Sequence, residues 1–208
     1  CSPPCPDENI HLIRGSLAVL SIRGLAERDN KVGTGSEIIM LTESPALAAV
    51  ALPAAERLVA LGQTVAVAES AAGGLISATL LAVAGASKFY AGGIVMYTRQ
   101  SRKTYLDLDP VALKGLAPLS EAMVMVFAAA ARQSLGATWG IAELGAAGPA
   151  GTPYGHPAGS CVIGISGPVD MSVRIDTGSA DREANMWRFT QEALTLLARA
   201  TGKALDQR

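Results

Sequence analysis

The run Thr64-Val-Ala-Val-Ala68 passes directly into Glu69-Ser70-Ala71-Ala72-Gly73-Gly74 and from there into an apolar stretch starting at Leu75. A short β-branched run reads as a buried strand, the glycines as a turn, and the apolar stretch, roughly Leu75 to Ala84, as a helix. A strand that hands over to a helix within so few residues is a building unit of layered α/β folds.

The rest of the chain supports that reading from Ser44 onward. Ser44-Pro45 reads as an N-cap followed by proline at the first helical position, opening a helix that runs to about Leu61 and stops at Gly62. Gly92 to Tyr97 reads as a strand and Thr98 to Leu106 as a polar helix. Ser120 is an N-cap with Glu121 at the positive end of the helix dipole, and Gly136 closes that helix after Leu135. Thr138 to Leu144 is a further strand, and Gly145 to Ala158 is a long loop rich in glycine and proline. Gly159 to Ser166 and Met171 to Asp176 read as an antiparallel strand pair, and Asp181 to about Ala204 as the last helix. This order predicts a three-layer α/β/α sandwich around a mixed sheet. Residues 1–45 read as an N-terminal extension, with a Pro-rich start, a strand or hairpin within His11 to Ile22 and a polar loop at Glu27 to Gly35; residues 46–208 form the domain.

Composition narrows the function classes. Half of the 208 residues are apolar and 17% are charged, as in a chain with a well-buried core. A net charge of −1 gives no global bias toward nucleic acid or an anionic membrane. Ala122 to Ala131 and Leu75 to Ala86 are too short to span a bilayer, and no signal peptide is visible. Cys1 and Cys5 could pair, but three cysteines, with Cys161, fit a reduced, cytoplasmic protein better. His11 and His156 form no cluster with cysteine at ligand spacing, so a structural zinc site is not expected.

Two loops are placed to do chemistry. Ser70 stands at the carboxyl end of a strand beside a helix N-terminus, where free N–H groups and the dipole can stabilise an oxyanion or phosphate. The alternative is that Ser70 simply caps the helix. The loop from Gly145 through Gly148-Pro149 to Pro153 could line the opposite side of a pocket, or be an ordinary connection. After Tyr97, Arg99, Arg102 and Lys103 read either as a solvated basic face or as a group that binds phosphate or handles protons.

Seven segments then fall in one order. They are Ala68-Glu69-Ser70-Ala71-Ala72-Gly73-Gly74, then Gly85-Ala86-Ser87, and Gly92-Gly93-Ile94-Val95-Met96-Tyr97-Thr98-Arg99-Gln100-Ser101-Arg102 with Leu106-Asp107-Leu108. Ala117-Pro118-Leu119-Ser120-Glu121, Leu144-Gly145-Ala146-Ala147-Gly148-Pro149-Ala150-Gly151, and His156-Pro157-Ala158-Gly159-Ser160-Cys161 follow, with Ala180-Asp181-Arg182 near the end. Together they resemble the CinA C-terminal domain family, the nicotinamide-nucleotide amidases, over about residues 46–200. The resemblance implies a cytoplasmic, oligomeric amide hydrolase without metal or cofactor, acting on nicotinamide mononucleotide. It implies Ser70 as nucleophile, Tyr97 as a proton-handling tyrosine, and backbone N–H groups near Gly73 and Gly74 as the oxyanion hole. Glu69, Arg99, Gly145, Gly148 and Pro149 are implied to bind the substrate.

The family's lysine is replaced by Arg102, which cannot accept the serine proton because a guanidinium stays protonated. Lys103 lies one residue on, turned about 100° away on a helix. The family's Cys-Thr is Ala71-Ala72, its asparagine is Arg99 and its hydroxyl residue is Leu144. Three readings stay open: a working amidase, a binding or regulatory protein that has lost hydrolysis, and another reaction on the same scaffold.

Overall fold

The computed structural model describes residues 47–106, 108 and 110–207. The readings at Ser44-Pro45, His11 to Ile22, Glu27 to Gly35, Cys1 and Cys5 lie outside them. Helix α1 (Leu47–Leu61) precedes strand β1 (Val65–Glu69), α2 (Leu75–Leu81), a single 3₁₀ turn (Ala86–Lys88) and β2 (Tyr90–Val95). Then come α3 (Arg99–Tyr105), α4 (Pro110–Leu113), α5 (Glu121–Ser134), β3 (Trp139–Gly145), β4 (Ser160–Ser166), β5 (Met171–Asp176) and α6 (Arg182–Asp206). The strands lie in the order β2-β1-β3-β4-β5. β1 runs parallel to both β2 and β3, whereas β4 is antiparallel to its two neighbours. The sheet is therefore mixed, as expected, with the parallel part formed around β1.

Alternation along the central strands separates two cores. Val65, Val67, Trp139, Ile141, Cys161, Ile163 and Ile165 face the layer made by α1, α2 and α6. Ala66, Ala68, Ala142, Leu144 and Val162 face α5. The first face carries bulk and the second carries methyl groups, so α5 can lie close to the sheet. Gly140 makes this plain: a Cβ there would sit 2.0 Å from the Ala128 carbonyl oxygen of α5. Trp139 is fully buried in the other layer, and its indole N–H donates to Gln63 Oε1 at 2.8 Å, which satisfies its one polar atom.

Helix ends follow their local chemistry. Ser120 Oγ accepts from Met123 N–H at 3.1 Å, as its N-cap position predicts. Thr98 and Ser101 form a reciprocal capping pair that starts α3. Asp181 caps α6 by accepting from Ala184 N–H. Some boundaries differ from the sequence reading. Helix α2 ends at Leu81 instead of Ala84 and is followed by the 3₁₀ turn, and β2 ends at Val95, leaving Tyr97 outside the strand. Pro53 lies within α1 on its exposed side, where the carbonyl left without an N–H partner is open to water. Among the described residues no helix is long and apolar enough to cross a membrane.

Gly140→Ala should destabilise the domain by roughly 3 kcal/mol or more, because neither the α5 backbone nor the central strand can yield locally. Urea unfolding of the two proteins, compared by midpoint, measures it.

Candidate functional site

Because β1, β2 and β3 are parallel and Glu69 is in register with Val95 and Glu143, three carboxyl ends open side by side. The loops that leave them carry Ser70, Tyr97 and the glycine-rich segment after Gly145. Ligand sites in such sheets form at this edge.

The turn that follows β1 is held by two buried carboxylates. Glu69 Oε2 accepts from the N–H groups of Gly74 and Ile76, both at 3.0 Å, and Oε1 accepts from Ser77 N–H and from its hydroxyl at 2.6 Å. Glu143 Oε2 accepts from Ser70 N–H at 3.0 Å and Ala72 N–H at 2.8 Å. Both glutamates are fully buried. This corrects two expectations. Glu69 satisfies the open end of α2, which has no side-chain cap at Gly74, and leaves no oxygen for a ligand. The N–H groups of Gly73 and Gly74 are also taken, by the Ser70 carbonyl and by Glu69. Among the described residues, the N–H of Ala71 is the donor between Ser70 and Ser77 that has no acceptor.

Ser70 itself is only 4% exposed. Arg102 Nη2 donates toward its Oγ at 3.4 Å, while Arg102 Nε donates to the Met96 carbonyl at 3.2 Å. The guanidinium also stands 5.7 Å from the centre of the Phe127 ring. Burial lowers its pKa; the charge of Glu143 opposes that shift and Arg99 adds to it. Lys103 is exposed, turned away from Ser70 as a helix requires. Tyr97 is 57% exposed, and its hydroxyl accepts from Arg182 Nη2 at 3.2 Å, so the tyrosine faces α6.

A cavity of about 790 Å³ opens beside Arg102. Arg99, Arg102, Lys103 and Gly145 line it, together with an apolar wall that includes Leu106, Met123, Phe127 and Leu144. Ser70 lies behind Arg102 at its edge. Gly148 and Pro149 are outside the lining and serve the loop's own shape. Gly148 has φ +116 and sits so close to α6 that a Cβ would be 2.5 Å from the Ala180 carbonyl oxygen. Its own carbonyl accepts from Arg182 Nη1 at 2.8 Å. His156 anchors the loop's far end. Its Nε2 lies 3.0 Å from the Pro118 carbonyl and its Nδ1 lies 3.3 Å from Arg174 Nη2, an arrangement that the neutral ring protonated at Nε2 satisfies on both sides.

Sequence reasoning missed Glu143, Asn185 and the role of Arg182. The signal for Glu143 was a carboxylate inside the apolar strand Trp139-Gly-Ile-Ala-Glu-Leu, which a buried strand tolerates only when its oxygens are used. Asn185, 1% exposed, donates to the Ala147 and Ser179 carbonyls at 2.8 Å each and secures the same loop. Among the described residues no group of three or more His, Cys, Asp or Glu side chains could hold a metal ion.

Burial raises the Glu143 pKa from 4.5 to about 7, against the hydrogen bonds from Ala72, Ser70 and Cys161, with the charge of Glu69 adding to the rise. Between these two pH values the folded protein holds the proton that the unfolded chain releases. Stability therefore falls as pH rises through this window, by on the order of 3 kcal/mol, and levels off above it. Glu143→Gln keeps an acceptor for both N–H groups and should remove this slope. Unfolding free energies of the two proteins between pH 4.5 and 8 test it, and parallel curves would contradict the assignment.

Comparison with known proteins agrees with this architecture. The model of the CinA C-terminal domain matches residues 48–201. A CinA-like protein of Salinibacter ruber is 36% identical over 131 residues, 63% of this chain and 32% of that protein. One from Parasynechococcus marenigrum is 39% identical over 127 residues, 61% of this chain and 30% of that protein. The matches thus span about a third of those relatives. Among solved structures, a competence-damaged protein (CinA) superfamily protein from Klebsiella pneumoniae superposes with TM-score 0.69 at 26% identity, covering 76% of this chain and 98% of that one. A CinA superfamily protein from Escherichia coli gives 0.67 at 26%, covering 78% and 95%. With the sheet order, the serine turn and the glycine-rich loop in place, the chain belongs to the CinA C-terminal domain family.

Proposed function

We propose that this protein binds a small anionic molecule at the Ser70 edge of the sheet, and that amide hydrolysis at that site is disarmed. The observation that carries this reading is the 3.4 Å approach of Arg102 Nη2 to Ser70 Oγ. A serine nucleophile needs a neighbour that takes its proton, and arginine only donates. The same guanidinium shields the hydroxyl, and Tyr97 is engaged by Arg182. What remains is a cavity with three cations and a preserved glycine framework, which suits holding an anion.

A working amidase is the second reading, favoured by Ser70 itself. It stands at the carboxyl end of β1 with a positive charge beside Oγ that would stabilise an alkoxide, and Ala71 N–H is unengaged nearby.

Ammonia release from nicotinamide mononucleotide separates the two. The wild type should be indistinguishable from Ser70→Ala, and Arg102→Lys should release ammonia above both, since a buried lysine can lose its proton. Turnover by the wild type that Ser70→Ala lowers by about a thousandfold or more would establish the amidase instead.

A further inference from the structure

We infer that the molecule this cavity takes is an amphipathic organic anion, an alkyl or aryl body ending in a carboxylate, in preference to a sugar phosphate bearing a charged ring. The inference rests on the reading that the site binds a small anion, and refines its chemical class.

The walls decide the body of the ligand. Leu106, Leu113, Leu119, Met123, Phe127 and Leu144 converge on one volume of about 790 Å³ from four separate parts of the chain: the end of α3, α4, α5 with the segment before it, and β3. A pocket of that size encloses a small organic molecule. Hydroxyl groups buried against such a wall would lose their water without gaining partners. The neutral side-chain hydroxyls in the lining are those of Thr152 and Tyr154, and the latter already accepts a hydrogen bond from Arg99.

Charge decides the other end. Arg99 and Lys103 lie four residues apart on α3 and line the cavity with Arg102, and among the described residues of its lining none is a carboxylate. Lys103 has no ion-pair partner among the described residues. The described lining thus carries three cations on one side, which favours an anion and opposes a cationic ring.

Leu119 supplies an independent observation. Its φ is +50°, a conformation that suits glycine and that a leucine adopts at a cost. Neighbouring turns in this chain place glycine at such positions, as at Gly115 and Gly136. A leucine kept there puts its side chain on the cavity wall, which gives the strain a purpose.

Isothermal titration of the full chain with decanoate, decyltrimethylammonium, inorganic phosphate and nicotinamide mononucleotide tests this, with the wild type, Leu119→Gly and the double variant Arg99→Gln/Lys103→Gln. Decanoate should bind at one site per chain, and the other three probes at least about tenfold more weakly. Leu119→Gly should melt at an equal or higher temperature while binding decanoate about fivefold or more weakly, a combination that a purely structural role would not produce. The double variant should lose about tenfold or more. Equal binding of decanoate by Leu119→Gly and the wild type would overturn the inference. So would tighter binding of the mononucleotide or phosphate than of decanoate, although the anion-binding reading would then stand. Silence toward every anion would sink both.

Discussion

The close approach of α5 to the sheet governs how this domain is assembled. It depends on glycine and alanine on one face of the central strands, most sharply where Gly140 passes under the Ala128 carbonyl oxygen. With no bulk available on that side, the large side chains concentrate beneath α1, α2 and α6. At the N-terminal end of α5, Val124 and Met125 rest on Gly164 of β4. Met123 and Phe127 there meet Leu106, Leu119 and Leu144 around open space, and that space is the cavity.

The turn after β1 shows a second constraint. A tight strand-to-helix turn exposes several N–H groups that must find acceptors. Here Glu69 and Glu143, on adjacent strands in the same register, supply them from beneath. This holds Ser70 rigidly and leaves its side chain toward Arg102. It also stores two acidic groups in an apolar setting, which the domain accommodates by letting Glu143 titrate near neutrality. Cys161 on β4 donates toward the same carboxyl, and burial, with the charge of Glu143 adding to it, raises its own pKa well above the ordinary value.

The glycines of the site answer to packing. At Gly148 the Ala180 carbonyl leaves no room for a Cβ, and at Gly145 Glu143, Phe189 and Ala71 would hold one tightly. These are demands of packing, met whether or not a reaction takes place. Leu144 and Ala71-Ala72 are buried apolar side chains, and Arg102 places a guanidinium beside Ser70, so the site presents charge and apolar surface.

The α/β architecture, the Ser120 cap, the Gly62 and Gly136 stops and the β4–β5 pairing were legible in the sequence, because each depends on neighbours within a few residues or on simple alternation. The outward turn of Lys103 followed from helical periodicity in the same way. The duties of Glu69, Glu143, Tyr97 and Arg182 were not legible. Glu143 meets Ser70 across 73 positions and Arg182 meets Tyr97 across 85, so only the folded chain could show which oxygen each donor finds. The apolar cavity was hidden for the same reason: its wall draws on α3, α4, α5 and β3, whose leucines and phenylalanine look like ordinary core until tertiary packing leaves space between them.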